Sequence, residues 1–216
     1  DLSNYRLIDL THAYQPGMAG FRSTVSRTVE RDGWNARQLE IYSHAGTHMD
    51  APYHFAVSEE TIDEYAPGRL LGRAWVARLS VTAPRQLIEV ADLGAVAGQV
   101  EAGDGLLLHT GWSRYLGETP YRRDLPRISR GLAEWCVERR INLLGVEPPS
   151  VADVNDLVEV TEIHRILLGG RVIIVEGLTR LDQIRGDRVF LIALPLKIQQ
   201  GDGAPARVLA LEPIQS

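Results

Sequence analysis

The stretch that decides the fold is His44-Ala-Gly-Thr-His-Met-Asp-Ala-Pro-Tyr-His54, which holds three histidines and one aspartate within eleven residues. Imidazole and carboxylate groups suit Zn, Mn, Fe and similar ions, so the stretch is a candidate metal site. In a flat strand His44 and His48 would stand roughly 13 Å apart, which is too far for one ion. We therefore expect the chain to bend at Gly46 and again at Pro52.

Two other interpretations of this stretch are weaker. His-x-x-x-His spacing also places two rings on one face of a helix, but Gly46, Thr47 and Pro52 disfavour a helix, so we expect a loop that leaves a strand. Scattered surface histidines would not need the flanking glycine and proline. The Glu of a His-Glu-x-x-His motif is absent, which argues against a metalloprotease of that kind.

The composition indicates an ordinary globular protein. The chain has 216 residues, 44% of them apolar, and a net charge of -5. It has no basic stripe, so nucleic acid and anionic membranes are not expected partners. The lone cysteine, Cys136, excludes an internal disulfide and a cysteine-based zinc finger. A bound metal must therefore be held by nitrogen and oxygen.

The sequence predicts a cytoplasmic protein. No apolar run approaches the ~20 residues of a membrane span. Residues 1–5 have neither the basic nor the apolar region of a signal peptide. A segment removed before Asp1 stays open.

Strand patterns outnumber helix patterns along the chain and interleave with them. The predicted strands are 6–10, 37–43, 73–81, 105–110, 141–146, 171–175, 188–196 and 206–211, and the predicted helices are 88–100, 129–140 and 160–168. Leu39 and Ile41 alternate with polar residues, which predicts a half-buried strand there. The whole pattern predicts an α/β fold, a single compact domain over residues 1–216 with a mixed sheet.

A second pair of chemistry-bearing residues lies downstream. His164 falls on the last predicted helix, and Glu176 follows the next strand. The Gly169-Gly170 turn sends the chain back, so the two side chains can converge. Taken alone, such a pair is more often structural, and it gains weight beside the first cluster.

The pattern His44-x-Gly-Thr-His-x-Asp-x-Pro-x-His54 resembles the signature of the cyclase-type metal-dependent hydrolases, the family of kynurenine formamidases and isatin hydrolases. The likeness extends over nearly the whole chain. Further matching segments are Ile8–His12, Thr61–Asp63, Leu71-Gly72, Thr110–Trp112, Pro149–Val151 and Gly203–Arg207.

The resemblance implies a fold and a site. The fold would be a swivelling β/β/α-type domain in a homo-oligomer, a dimer or tetramer. By resemblance His44, His48 and Asp50 would hold one metal ion, Zn or Mn. Asp50 and Glu176 would bridge to a second ion that His164 also binds, although some relatives use a single manganese. The set of implied metal ligands is His44, His48, Asp50, His164 and Glu176, and His54 would be the catalytic proton donor and acceptor.

The resemblance also implies a reaction on a small-molecule substrate. A metal-activated water would hydrolyse the C–N bond of a small amide, as in an arylformamidase. The alternatives are a cyclic-amide (isatin-type) hydrolase, a lyase or cyclase with the same centre, and a non-catalytic metal-binding relative. The early loop has no Trp, unlike that of the kynurenine formamidases, so Tyr14 and Phe21 are candidate substrate contacts. Trp112 is a further candidate, with core packing as its alternative role.

Overall fold

Strands form most of the framework. The computed structural model describes residues 2–214. In that range the strands are β1 (Tyr5–Asp9), β2 (Phe21–Arg27), β3 (Ala36–Ile41), β4 (His48–Asp50), β5 (Leu71–Arg78), β6 (Leu87–Ile88), β7 (Gly105–His109), β8 (Arg127–Ile128), β9 (Leu143–Val146), β10 (Ile173–Glu176), β11 (Arg188–Pro195) and β12 (Gly203–Pro213). The α-helices are α1 (Val29–Asp32), α2 (Pro120–Arg123), α3 (Arg130–Glu138) and α4 (Leu157–Gly169). Short 3₁₀ segments are Leu2–Asn4, Pro52–Phe55, Ile62–Glu64, Pro67–Leu70, Val90–Gly98, Trp112–Tyr115 and Leu181–Gln183.

The main sheet closes on itself. Its strand order is β1-β12-β11-β5-β7-β9-β10-β4, and β4 pairs with β12 as well as with β10. Strands β5, β7, β9 and β10 run parallel, whereas the other neighbours are antiparallel. This confirms the predicted single compact α/β domain with a mixed sheet and matches the barrel-like fold expected by resemblance. The predicted limits, residues 1 and 216, lie outside the described residues.

The parallel strands are buried on both faces. Strand β7 shows the arrangement, because Leu107 packs inside the closed sheet while Leu106 and Leu108 pack against the helical layer. That layer includes Leu132 of α3 and Leu167 of α4. Two-sided burial explains why such strands read as continuous apolar runs.

Two helices cover the outer face at the positions that the sequence predicts. Ser129 caps α3, because its hydroxyl accepts a hydrogen bond from the backbone N–H of Leu132 at 3.0 Å. The Asp156 side chain caps α4 in the same way. At the end of α4, a Cβ on Gly170 would lie 2.2 Å from a methyl group of Val137. This close approach fixes α4 against α3, with its His164 face directed into the protein.

Two predicted elements differ from the structure. Strand β3 pairs with β2 in a separate two-stranded hairpin, and Leu39 is 50% exposed, so the predicted half-buried strand is wrong about burial. The predicted helix at 88–100 is wrong, because residues 90–98 form 3₁₀ turns instead. Gly94, with φ 56° and ψ −132°, interrupts them.

The described helices contain no candidate membrane span. Within residues 2–214, none combines sufficient length with sufficient apolar character to cross a bilayer.

Candidate metal centre

The segment that carries the first histidines bends where the sequence predicts. Gly46 has φ 62°, a left-handed conformation that favours glycine. A Cβ there would also crowd the ring of Tyr14 at 3.3 Å. After the bend, His48 and Asp50 form the short strand β4, which corrects the expectation of a loop. Pro52 then begins a 3₁₀ turn that carries His54.

Strand pairing brings β4 to the downstream pair. His48 is directly opposite Glu176 in the antiparallel β4–β10 register, and Asp50 is opposite Gly203 on β12. A Cβ on Gly203 would lie 2.6 Å from Cε1 of His44. Glycine at this position therefore lets the His44 ring approach the strand.

The predicted ligands converge in one buried cluster. His48 Nε2 lies 3.2 Å from Glu176 Oε2 and 3.6 Å from Asp50 Oδ1. From α4, His164 Nε2 lies 3.3 Å from Glu176 Oε1 and 3.5 Å from Asp50 Oδ2. His44 Nδ1 completes the set at 2.9 Å from Asp50 Oδ1. The structure thus brings together all five residues for which a metal role was predicted.

The cluster fits a divalent cation. A tetrahedral ion with ligands at about 2.1 Å has ligand–ligand separations of about 3.4 Å, close to those observed. Asp50 Oδ2 is buried and has no hydrogen-bond partner in the described residues, as expected for an atom reserved for a metal. The three-residue groups with suitable spacing include His44, His48 and Asp50, and also Asp50, His164 and Glu176. Asp50 belongs to both groups.

Charge complementarity holds the cluster together without a metal. Burial opposes ionisation of Glu176, but hydrogen bonds to His164 and His48 outweigh it and lower the pKa of Glu176. Burial likewise disfavours the charged form of His164, yet Glu176 and Asp50 raise its pKa. Glu176 Oε1 also accepts a hydrogen bond from the backbone N–H of Val151 at 2.8 Å.

His44 is held between two carboxylates. Its Nδ1 faces Asp50, and its Nε2 lies 3.0 Å from Oδ2 of Asp202. Burial disfavours protonation of His44, but the hydrogen bonds to both carboxylates raise its pKa to about 9. Asp202 escaped the sequence analysis because a single Asp between two glycines indicates only a turn.

His54 lies beside the ligands, at the edge of the cluster. Its ring stacks on His44 with a centroid distance of 3.8 Å, and its Nδ1 lies 3.6 Å from Asp202 Oδ2. The side chain keeps 25% of its surface exposed. Burial, together with repulsion from the charged forms of His44 and His164, lowers the pKa of His54. An imidazole in this position can exchange protons next to the metal ligands.

A cavity of about 390 Å³ opens beside His44 and Gly46. Residues 15–19 form one side, and residues 116–118 with 121–122 form the other.

The three predicted substrate contacts lie behind the walls of this cavity. The Tyr14 hydroxyl donates a hydrogen bond to the Ala45 carbonyl oxygen at 2.6 Å, and its ring lies 5.1 Å from that of Phe21. Trp112 is buried, and its Nε1–H donates to the Tyr121 carbonyl oxygen at 3.1 Å. Their substrate contacts stay predictions, whereas their structural contacts are direct.

Known proteins share both the sequence and the fold. Residues 8–153 match the family model described as a putative cyclase. Kynurenine formamidase of Bacillus thuringiensis (strain Al Hakam) is 29% identical over 201 residues, 90% of this chain and 88% of that protein. Kynurenine formamidase of Erythrobacter litoralis (strain HTCC2594) is 29% identical over 221 residues, 97% and 95% of the two chains.

A solved structure agrees with these relatives. Isatin hydrolase A from Ralstonia solanacearum superposes with a TM-score of 0.85 and 25% sequence identity, covering 97% of this chain and 93% of that one. The fold, the ligand cluster and these relatives together define the class as a metal-dependent amide hydrolase acting on non-peptide C–N bonds. Within that class, the chain belongs to the putative cyclase family, whose model spans more than half of it.

Proposed function

We propose that the protein hydrolyses the C–N bond of a small aryl amide in an arylformamidase-like reaction, with His54 as the proton shuttle. The observation that carries this proposal is the position of His54. It stacks on His44 at 3.8 Å yet stands outside the groups His44/His48/Asp50 and Asp50/His164/Glu176. A purely structural metal site would not need this additional imidazole.

The proposed cofactor is Zn or Mn, with one or two ions per chain. His44, His48 and Asp50 would hold one ion, and His164 and Glu176 would join Asp50 around a second. When bound, a divalent ion supplies Lewis acidity that acidifies water and polarises a carbonyl group. The nitrogen and oxygen donor set suits either metal.

His54 moves the proton in this proposal. Its Nδ1 faces the Asp202 carboxylate at 3.6 Å, which makes Nε2 the nitrogen available for exchange. Nε2 accepts a proton from the attacking water and delivers it to the departing nitrogen. Imidazole suits both transfers because its pKa is close to the working pH.

The cavity beside His44 suits a small substrate. Its volume of about 390 Å³ is at the lower end of ligand pockets. Met18 and Pro16 supply apolar surface on one side, which fits an aromatic ring. A second candidate is the hydrolysis of a cyclic amide of the isatin type, which the likeness to an isatin hydrolase favours.

We further propose a cytoplasmic homo-oligomer, a dimer or tetramer, built from one domain over residues 1–216. The β2–β3 hairpin supports this assembly because a two-stranded hairpin is marginal on its own. Val25 and Leu39 on it are 58% and 50% exposed, and Trp34 between the strands is 58% exposed. Another subunit would bury these side chains.

The test combines metal content with turnover. Protein purified without chelator is analysed for metals and assayed with N-formylkynurenine and isatin before and after chelation. We expect one or two ions per chain and turnover of one compound that chelation abolishes and zinc or manganese restores. Turnover that persists after complete metal removal would contradict the proposed mechanism.

A further inference from the structure

Two imidazoles of the cluster are oriented by the backbone. His48 Nδ1 lies 3.0 Å from the Gly46 carbonyl oxygen, and His164 Nδ1 lies 2.7 Å from the Val160 carbonyl oxygen. A carbonyl oxygen can only accept a hydrogen bond, so each Nδ1 carries the proton. Each Nε2 then faces the buried carboxylates with its lone pair free for a cation.

His44 follows the same rule with its nitrogens exchanged. Its Nδ1 faces Asp50 in the cluster, whereas its Nε2 lies 3.0 Å from Asp202 Oδ2. Asp202 therefore takes the place that a backbone carbonyl takes for the other two rings. A carboxylate is the stronger acceptor, and it also increases the basicity of the ring that donates to it.

We propose that Asp202 is a positioning residue of the metal centre, whose carboxylate accepts the Nε2–H of His44 and so leaves Nδ1 free for the metal ion. This inference rests on the metal centre of the proposed function. Partners that fix a ligating imidazole in this way influence metal affinity by about 10–100-fold. Asp202 also faces His54 at 3.6 Å, so it lies between a metal ligand and the proposed proton shuttle.

A competing role for Asp202 is direct metal binding. His44, His54 and Asp202 also have suitable spacing for a cation. If Asp50 and Asp202 each held an ion, His44 would have to give up both ring protons to bind the two. The separation of 3.0 Å is instead an ordinary hydrogen bond, and Ser43 Oγ donates to the same oxygen at 3.4 Å. The geometry therefore favours positioning.

The turn that carries Asp202 offers a matched control. Residue 202 lies between Gly201, whose N–H donates to the Ile198 carbonyl oxygen, and the start of β12. Asp63 stabilises the same turn, because its Oδ1 accepts the N–H of Gln200 at 3.0 Å. No imidazole contact accompanies this bond among the described residues. Substitution of Asp63 therefore disturbs the turn without removing the proposed hydrogen bond.

The experiment measures zinc affinity by competition with a chromophoric chelator at one pH. Wild type, Asp202→Ala, Asp202→Asn and Asp63→Ala are compared, with zinc stoichiometry determined for each. Nitrogen-15 NMR of the zinc-loaded proteins reports which His44 nitrogen carries the proton. This second readout does not change with a general loss of order.

We expect Asp202→Ala to weaken zinc binding by about 10–100-fold at unchanged stoichiometry and to expose the His44 Nε2–H to rapid exchange. Asp202→Asn, whose amide oxygen can still accept, should recover part of the affinity, and Asp63→Ala should retain all of it.

Three results would overturn the inference. They are unchanged affinity in Asp202→Ala, an equal loss in Asp63→Ala, and the loss of one bound ion, which would make Asp202 a ligand. A wild-type chain that binds no zinc would overturn the metal centre as well. Zinc binding without amide turnover would contradict the proposed function alone.

Discussion

Glu176 on β10 stands directly opposite His48 on β4, and Oε2 of the first lies 3.2 Å from Nε2 of the second. The register of two short antiparallel strands thus joins ligands that are far apart in sequence. Because β4 also pairs with β12, the same three residues of β4 close the sheet and carry two ligands. Closure of the sheet and assembly of the metal centre are therefore one structural event.

Metal binding should stabilise the fold, because the ligands come from β4, α4 and β10. A ligand at 100 times its Kd stabilises a protein by about 2.7 kcal/mol. For a chain of this size the Tm should rise by roughly 5–10 °C. Differential scanning fluorimetry of chelated protein with and without zinc measures this shift. Glu176→Gln should reduce it strongly, and an equal shift in that variant would place the zinc elsewhere.

Gly203→Ala should damage the centre without removing a ligand. The new Cβ would meet Cε1 of His44 at 2.6 Å and the Met49 carbonyl oxygen at 2.8 Å, so the His44 ring must move. We expect weaker zinc binding and a loss of about 1–3 kcal/mol in the free energy of unfolding. Chemical denaturation and metal titration measure the two effects.

Gly68→Ala is the matched control for this substitution. A Cβ on Gly68 meets nothing within 4 Å, so both properties should be retained. Normal zinc affinity in Gly203→Ala would show that the His44 ring has room to move.

His54→Ala should separate chemistry from metal binding. His54 stands outside the ligand groups shared by Asp50, so its removal should leave metal content unchanged. Loss of a proton shuttle typically lowers kcat by about 10²–10⁴-fold. Steady-state kinetics with metal analysis of the same sample test this. Turnover near the wild-type rate with full metal content would remove His54 from the mechanism.

The first ligands could be predicted from sequence because their information is local. His44, His48 and Asp50 are close in the chain, and the bend that unites them needs only Gly46, whose φ is 62°. Apolar runs buried on both sides, such as β7, were equally readable. Ser129 was predicted correctly as a helix cap because the hydrogen bond it makes is also local.

Features that depend on distant parts of the chain could not be predicted in this way. Asp202 reaches His44 across 158 positions, and only the pairing of β12 with β4 brings it there. The alternation of Leu39 and Ile41 correctly indicates a strand. It does not reveal that nothing in the same chain covers the strand, so its burial was predicted wrongly.

The metal-free protein should lose stability as the pH rises above neutrality. Asp50 and Asp202 raise the pKa of His44 from 6.5 to about 9 in the folded chain. A raised folded-state pKa gives stability that is fully present below pH 6.5 and is lost as the pH approaches 9. His164 shifts in the same direction. The His44 contribution is on the order of 3 kcal/mol.

Urea denaturation of chelated protein between pH 6 and pH 9.5 measures this loss. The variant His44→Gln should show a weaker dependence on pH, because it lacks the titrating ring. Zinc-loaded protein should resist the change, since a bound cation replaces the proton between His44 and Asp50. Stability of the chelated wild type that stays constant across this range would mean that His44 is neutral in the metal-free fold. In that case the two carboxylates would not control its charge.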